Sequence, residues 1–278
     1  MSLGVFLAVL GAAFLHALWN ALIKLGTSKV GTMVILSVVE VPIGLAVIAV
    51  SPAIDPAAIP WVIAAGCTHF AYKFFLTYAY DRGDLSRVYP IARGAAPMVV
   101  AVVGAMMLPD AVSGRQYIAI AVLGLGILLM ARGVFSSGED RRLLPFALGS
   151  AAATATYTMI DGMGARISGA PAAYVAWVFV ADGLIFTLGM LALRGRSVLP
   201  MNRRAWALGS VASAASYGAY AVSIWAMTIA PIAVVAALRE TSILFAVLIG
   251  WIVFGEKMSG EKALAATVIV AGVLLTRL

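Results

Sequence analysis

Glu40, His69, Lys73, Arg93, Asp182, Arg239 and Glu240 stand deep inside long apolar stretches, and His16 stands inside another. A charge at the centre of a bilayer costs at least ~2.5 to 3.5 kcal/mol on insertion scales, so each of these groups must face a protein interior and find a partner there. The chemistry open to them is specific. Carboxylates can pick up and release protons, and a guanidinium can grip a carboxylate or phosphate through two parallel hydrogen bonds. The plainer reading is that each acid neutralises the arginine of its own half as a buried structural pair.

Helical spacing gathers further candidates. His16, Trp19, Asn20 and Ile23 recur at i, i+3, i+4 and i+7, so imidazole, indole and amide share one face. His69, Tyr72, Lys73, Leu76 and Tyr80 do the same over three turns. Tyr157 and Asp161 lie one turn apart, as do Ser213 and Tyr217, with Ser216 and Tyr220 completing the second stripe. Aromatic walls around a few polar groups are the usual make-up of a small-molecule site. The substrate-binding candidates are therefore His16, Trp19, Asn20, His69, Tyr72, Lys73, Tyr89, Arg93, Tyr157, Tyr217, Tyr220 and Arg239, and the proton-coupling candidates are Glu40, Asp161, Asp182 and Glu240. The competing account of Tyr and Trp is an interfacial belt or plain packing, although Trp19 is too deep in its stretch for a belt. The small-residue runs Gly149 to Thr156 and Gly209 to Ser216 read as close helix packing. Pro42, two residues after Glu40, and Pro97, four after Arg93, are expected to kink their helices.

Several chemistries find no support. Two histidines on different helices lack metal-ligand spacing, and Cys67 is the sole cysteine, so no metal is expected. Neither a P-loop nor a dinucleotide fingerprint occurs, so no cofactor is expected either. No nucleophile with its base points to an enzyme. Basic residues are scattered through short connectors rather than gathered on one element, which argues against nucleic acid despite the net charge of +7. Charges spread over several helices do not form the rings of a channel filter.

The elements that must position these residues follow from composition. Of 278 residues 63% are hydrophobic and 11% charged, against roughly 25% charged in soluble domains, and the mean hydropathy is +1.03. A membrane crossing takes about 20 apolar residues. Spans are expected near 3–25, 30–50, 57–80, 86–108, 113–132, 143–165, 172–194, 205–229, 231–254 and 260–277. The start lacks a basic leader and cleavage pattern, so the first span is expected to persist. The expected fold is an all-α membrane protein with ten transmembrane helices: a five-helix unit over 1–135, a linker at 136–142 and a second unit over 143–278.

A shift of 146 positions lays 88–130 on 234–276 without a gap, matching Arg93 with Arg239, Gly104 with Gly250, Ser113-Gly114 with Ser259-Gly260 and Gly126 with Gly272. Offsets of 138 and 142 lay Trp19 on Tyr157 and Glu40 on Asp182. Because five is odd, two copies of one unit must sit upside down relative to each other, giving inverted repeats with a site between them. Lys and Arg concentrate in the connectors after the odd-numbered spans, which places those connectors in the cytoplasm and the termini outside.

The ten-span duplication, the turn Gly255-Glu256-Lys257-Met258-Ser259-Gly260-Glu261 and the closing Gly272-Val273-Leu274-Leu275 resemble the EamA-type drug/metabolite transporter superfamily. Three stretches are similar to one of its subgroups: His16-Ala17-Leu18-Trp19-Asn20 with Lys24, Tyr89-Pro90-Ile91-Ala92-Arg93-Gly94, and Tyr157-Thr158 with Asp161-Gly162-Met163-Gly164-Ala165-Arg166. The matching turn of the first half reads Pro109-Asp110, a departure confined to a connector. The resemblance implies a secondary carrier that works without ATP hydrolysis, commonly an exporter of amino acids or related metabolites. The expected function is thus proton-coupled export of a small polar metabolite by alternating access, from a multi-pass position in the cell inner membrane. The alternative is a translocase of a lipid or another phosphate- or phosphonate-bearing compound. Expected partners are a small-molecule substrate and membrane lipid.

Overall fold

The structure is a computed structural model and describes residues 1–26, 28–80, 96–108, 110–135, 142–199, 202–255 and 258–277. Tyr89, Arg93, most of the expected linker, Glu256 and Lys257 lie outside the described residues, as does the side chain of Tyr80.

All regular structure among the described residues is helical. The first half holds α1 (Leu3–Leu25), α2 (Lys29–Val50), α3 (Ile59–Tyr80), α4 (Ala96–Met107) and α5 (Gly114–Phe135). The second holds α6 (Leu143–Ser168), α7 (Pro171–Arg194), α8 (Arg203–Ile229), α9 (Ile232–Arg239), α10 (Ser242–Phe254) and α11 (Gly260–Leu275). Short polar side chains in the connectors start these helices by accepting a backbone N–H that has no partner within the helix. Ser28 accepts from Gly31 at 3.0 Å and Asn202 from Ala205 at 2.7 Å. Pro171 opens α7 in its first turn, where a missing N–H costs nothing.

Among the described residues five helical stretches are long and apolar enough to cross a membrane: Leu3–Leu25, Val30–Val50, Leu143–Ser168, Pro171–Arg194 and Ile232–Phe254. Helices α3 and α8 are long enough but less apolar, because they carry His69 and Lys73 or the serine and tyrosine stripes. The burial pattern is that of a protein dissolved in lipid. Met106 is 83% exposed and Ile252 71%, whereas Glu40, Asp161 and Asp182 are at most 1% exposed. Apolar side chains face outward and the ionisable ones face each other, as the cost of a charge in hydrocarbon requires.

Packing runs across the halves. Helix α1 lies against α8 and α10, α2 against α7 and α8, α3 against α6 and α7, α4 against α6 and α9, and α5 against α11. A single hydrophobic core joins both halves. The α5–α11 contact is reciprocal: Gly126 lies over Ile269 and Gly272 over Leu123, each so close that a Cβ would come within 2.6 to 2.8 Å of its neighbours. Only glycine permits that approach.

One expectation changes. The ninth span is not one regular helix, since α9 stops at Arg239 and α10 restarts at Ser242. No proline causes this. Glu240 N–H bonds Ala237 O at 3.1 Å and Thr241 N–H bonds Leu238 O at 3.0 Å, a tightened i to i−3 turn. The Thr241 hydroxyl also donates to Leu238 O at 2.7 Å, so side chain and backbone share one carbonyl. Pro42 lies inside α2, and Pro97 follows closely on residues outside those described.

Candidate functional site

Helix α3 supplies the organising face. Its His69, Tyr72, Lys73 and Leu76 are all buried and look toward the second half. Lys73 Nζ donates to Ser37 Oγ at 2.9 Å and lies 2.5 Å from Glu40 Oε2 and 2.6 Å from Asp182 Oδ2. An ammonium has three donors, and these three acceptors use all of them. Ser37 and Glu40 share a face of α2, and Asp182 comes from the middle of α7. Among the described residues the partner that Glu40 and Asp182 meet is this shared lysine, while Arg93, the arginine of the first half, lies outside them. When both carboxylates are ionised they outnumber the one ammonium by a single negative charge in a buried place.

One turn earlier on α3, about 6 Å along the axis, His69 builds a second cluster. Its Nε2 is 2.8 Å from Asp161 Oδ2 and 3.1 Å from the Tyr220 hydroxyl. The Tyr220 hydroxyl also donates to Asp161 Oδ2, and the Tyr174 hydroxyl donates to Asp161 Oδ1 at 3.0 Å. Asp161 is fully buried, so these donors stand in for water. Gly164, one turn after Asp161, makes room for Tyr174, because a Cβ there would collide with its ring and hydroxyl. Tyr157 stacks on His69 with ring centroids 4.2 Å apart, and Tyr72 meets Tyr157 edge-on at 5.4 Å.

Arg239 ends α9 at the tightened turn and is only 2% exposed. Its Nη2 donates to the Tyr157 hydroxyl at 3.2 Å, and the guanidinium sits 5.8 and 5.7 Å from the ring centres of Tyr157 and Tyr220. Among the described residues Nε and Nη1 have no hydrogen-bond partner. Each of them adjoins Nη2 on one of the two edges by which a guanidinium forks a carboxylate, Nε with Nη2 on the side and Nη1 with Nη2 at the end. Glu240, the next residue, is also buried.

The remaining candidates are placed less centrally. Trp19 Nε1 donates to His16 Nδ1 at 3.2 Å and Asn20 Nδ2 to the His16 carbonyl at 2.8 Å, which binds this trio together along α1. Tyr217 is half-buried with its ring 5.0 Å from Phe179, and its hydroxyl has no partner among the described residues. Sequence reading overlooked Ser37, Tyr174 and Asp110. Ser37 stands one turn before Glu40, a spacing that could have marked it. Tyr174 lies near the start of its span and reads as an interfacial residue. Asp110, passed over as a connector residue, forms a two-point ion pair with Arg166 at 2.6 and 3.2 Å.

Comparison with known proteins adds three findings. A crystal structure described only as that of a protein superposes with a TM-score of 0.74 at 17% identity, covering 99% of this chain and 98% of its own, a likeness of fold. No curated protein matches the chain. Residues 142–278 match the model of the EamA-like transporter family.

Proposed function

From the premise that this chain belongs to the EamA-like transporter family of the drug/metabolite transporter superfamily, and so is a multi-pass membrane transporter, we propose that it is a proton-coupled secondary carrier that exports an anionic small metabolite such as an amino acid across the cell inner membrane. The observation that carries this reading is Arg239, a buried guanidinium whose Nε and Nη1 have no acceptor among the described residues. Leaving a buried charged donor unsatisfied is expensive, and a visiting carboxylate removes that cost. His69, Tyr72, Tyr157 and Tyr220 give the visitor an aromatic wall. His16, Trp19, Asn20, Tyr89, Arg93 and Tyr217 remain candidates to complete it.

Coupling is assigned to the acids. Glu40 and Asp182 share Lys73, and a proton taken up by either cancels the surplus charge. Asp161 is the second candidate, joined to the substrate wall through His69 and Tyr220; Glu240, beside Arg239, is the third.

The ten helical spans are read as two inverted five-helix repeats that rock against each other around the site. The reciprocal packing supports this: first helix on third and third on first, second on second, fifth on fifth. So does the 146-residue offset, which relates Gly126 to Gly272 and Leu123 to Ile269, the four residues that meet in the α5–α11 contact.

The test is flux in liposomes holding the purified protein, with a proton gradient imposed and amino acids, amines and organophosphates screened side by side. Proton-driven movement of a carboxylate compound is expected. Movement of amines alone defeats the role given to Arg239, and movement of organophosphates alone favours the phosphate-bearing alternative.

A further inference from the structure

At one end of the bundle Asp110, in the connector between α4 and α5, meets Arg166 in the last turn of α6. Nη1 lies 2.6 Å from Oδ1 and Nη2 3.2 Å from Oδ2. Arg166 Nε also donates to Met227 O at 2.9 Å and Nη2 to Ala230 O at 3.1 Å, while Asp110 Oδ2 accepts the backbone N–H of Ile232 at 2.7 Å. Met227 and Ala230 close α8, whose last carbonyls have no partner within the helix, and Ile232 opens α9, whose first N–H groups have none either. The cation thus caps a negative helix end and the anion a positive one. At the same end the Asp55 N–H bonds Ser168 O at 3.0 Å, drawing in the connector between α2 and α3.

One ion pair therefore ties a connector of the first half to three helix ends in the second, those of α6, α8 and α9. Its side chains are 22% and 12% exposed. That intermediate burial matters. A fully exposed pair holds little against solvent, whereas a deeply buried one resists separation because its charges cannot be rehydrated. A pair at the margin holds firmly when closed and meets water when parted.

We infer that the Asp110–Arg166 pair is the latch that closes this end of the transport path, and that opening toward this face requires it to break. The inference rests on the alternating-access reading above. It also gives Asp110 a purpose: no other carboxylate of the described residues caps α9 while holding Arg166.

The test places spin labels at Ala111→Cys and Ala172→Cys, both exposed near this end, in a Cys67→Ala background. Pulsed electron resonance in nanodiscs reads the distance distribution. With the pair intact, a short distance dominates. Asp110→Asn and Arg166→Gln are each expected to raise the ratio of long to short distances on the order of tenfold. Should either variant fail to fold, Arg166→Lys, which keeps the charge but loses the fork, is expected to shift the ratio in the same direction. Two populations that no substitution moves overturn the latch but keep an alternating bundle. A single distance in every folded variant also overturns the latch, and the liposome flux experiment then judges the carrier reading separately.

Discussion

Glu40 and Asp182 reach the same ammonium from opposite halves of the chain, at 2.5 and 2.6 Å from Lys73 Nζ. They are also the two residues that an offset of 142 positions superposes. The two acids that this offset superposes therefore hold one basic residue that has no basic counterpart: an offset of 142 takes Lys73 to Ala215. The repeat in the sequence is broken at the group where charge is counted.

The shared lysine makes the two acids redundant for stability but not for coupling. Glu40→Gln or Asp182→Asn alone leaves Lys73 with one carboxylate, and each is expected to change unfolding free energy by no more than about 1 kcal/mol. The double variant strands a buried ammonium, which costs about 3 to 5 kcal/mol. Thermal melting of the purified protein in detergent checks this non-additivity. In liposomes each single variant should bind and exchange substrate yet lose proton-driven accumulation. Two additive losses of stability with intact accumulation would make the trio a structural pair only.

Arg239 is expected to discriminate by geometry rather than charge. Arg239→Lys keeps a cation but offers no planar fork, so it should weaken binding of a carboxylate substrate by about 1.5 to 3 kcal/mol, roughly ten- to a hundredfold in Kd. Titration calorimetry with the amino acid that shows the largest flux provides the measurement. Equal affinity in the two proteins would mean that the guanidinium fork does not touch the substrate.

The helices were largely legible, because lipid demands about 20 apolar residues per crossing and leaves little latitude at the ends. Leu3 to Leu25 and Pro171 to Arg194 are the clearest cases, bounded by polar or glycine connectors. The break after Arg239 was not legible. Neither glycine nor proline marks it, and it depends on a threonine hydroxyl that competes for the Leu238 carbonyl. Among site residues, burial of Glu40, Lys73 and Asp182 followed from the cost of charge in hydrocarbon. Which charge meets which did not, since that depends on how α2, α3 and α7 are rotated about their axes. Asp110 was hidden for the opposite reason: an acid in a polar connector looks solvated until tertiary packing brings Arg166 to it.

Gly164 is predicted to be irreplaceable for a local reason. A Cβ there would strike the Tyr174 ring and hydroxyl, so Gly164→Ala must push Tyr174 away from Asp161. Overpacking of this kind costs about 1 to 3 kcal/mol, whereas Tyr174→Phe forfeits only one hydrogen bond, about 1 kcal/mol. Because both variants break the same contact, the double variant should lose less than the sum of the two. Chemical denaturation of the three variants gives the cycle, and strict additivity would show that Tyr174 and Gly164 act independently.

Gly126 and Gly272 bear on the symmetry itself. Each faces the residue that the other's offset partner predicts, Gly126 over Ile269 and Gly272 over Leu123, so equal substitutions should meet equivalent obstacles. Gly126→Val and Gly272→Val are each expected to force α5 and α11 apart, at about 1 to 3 kcal/mol, with closely similar losses. Once one valine has separated the helices, the second meets open space, and the double variant should cost little more than either single one. Melting temperatures of the three proteins in one detergent decide the matter. If one glycine tolerates valine while the other does not, the two contacts are not equivalent and the inverted-repeat reading loses its most local support.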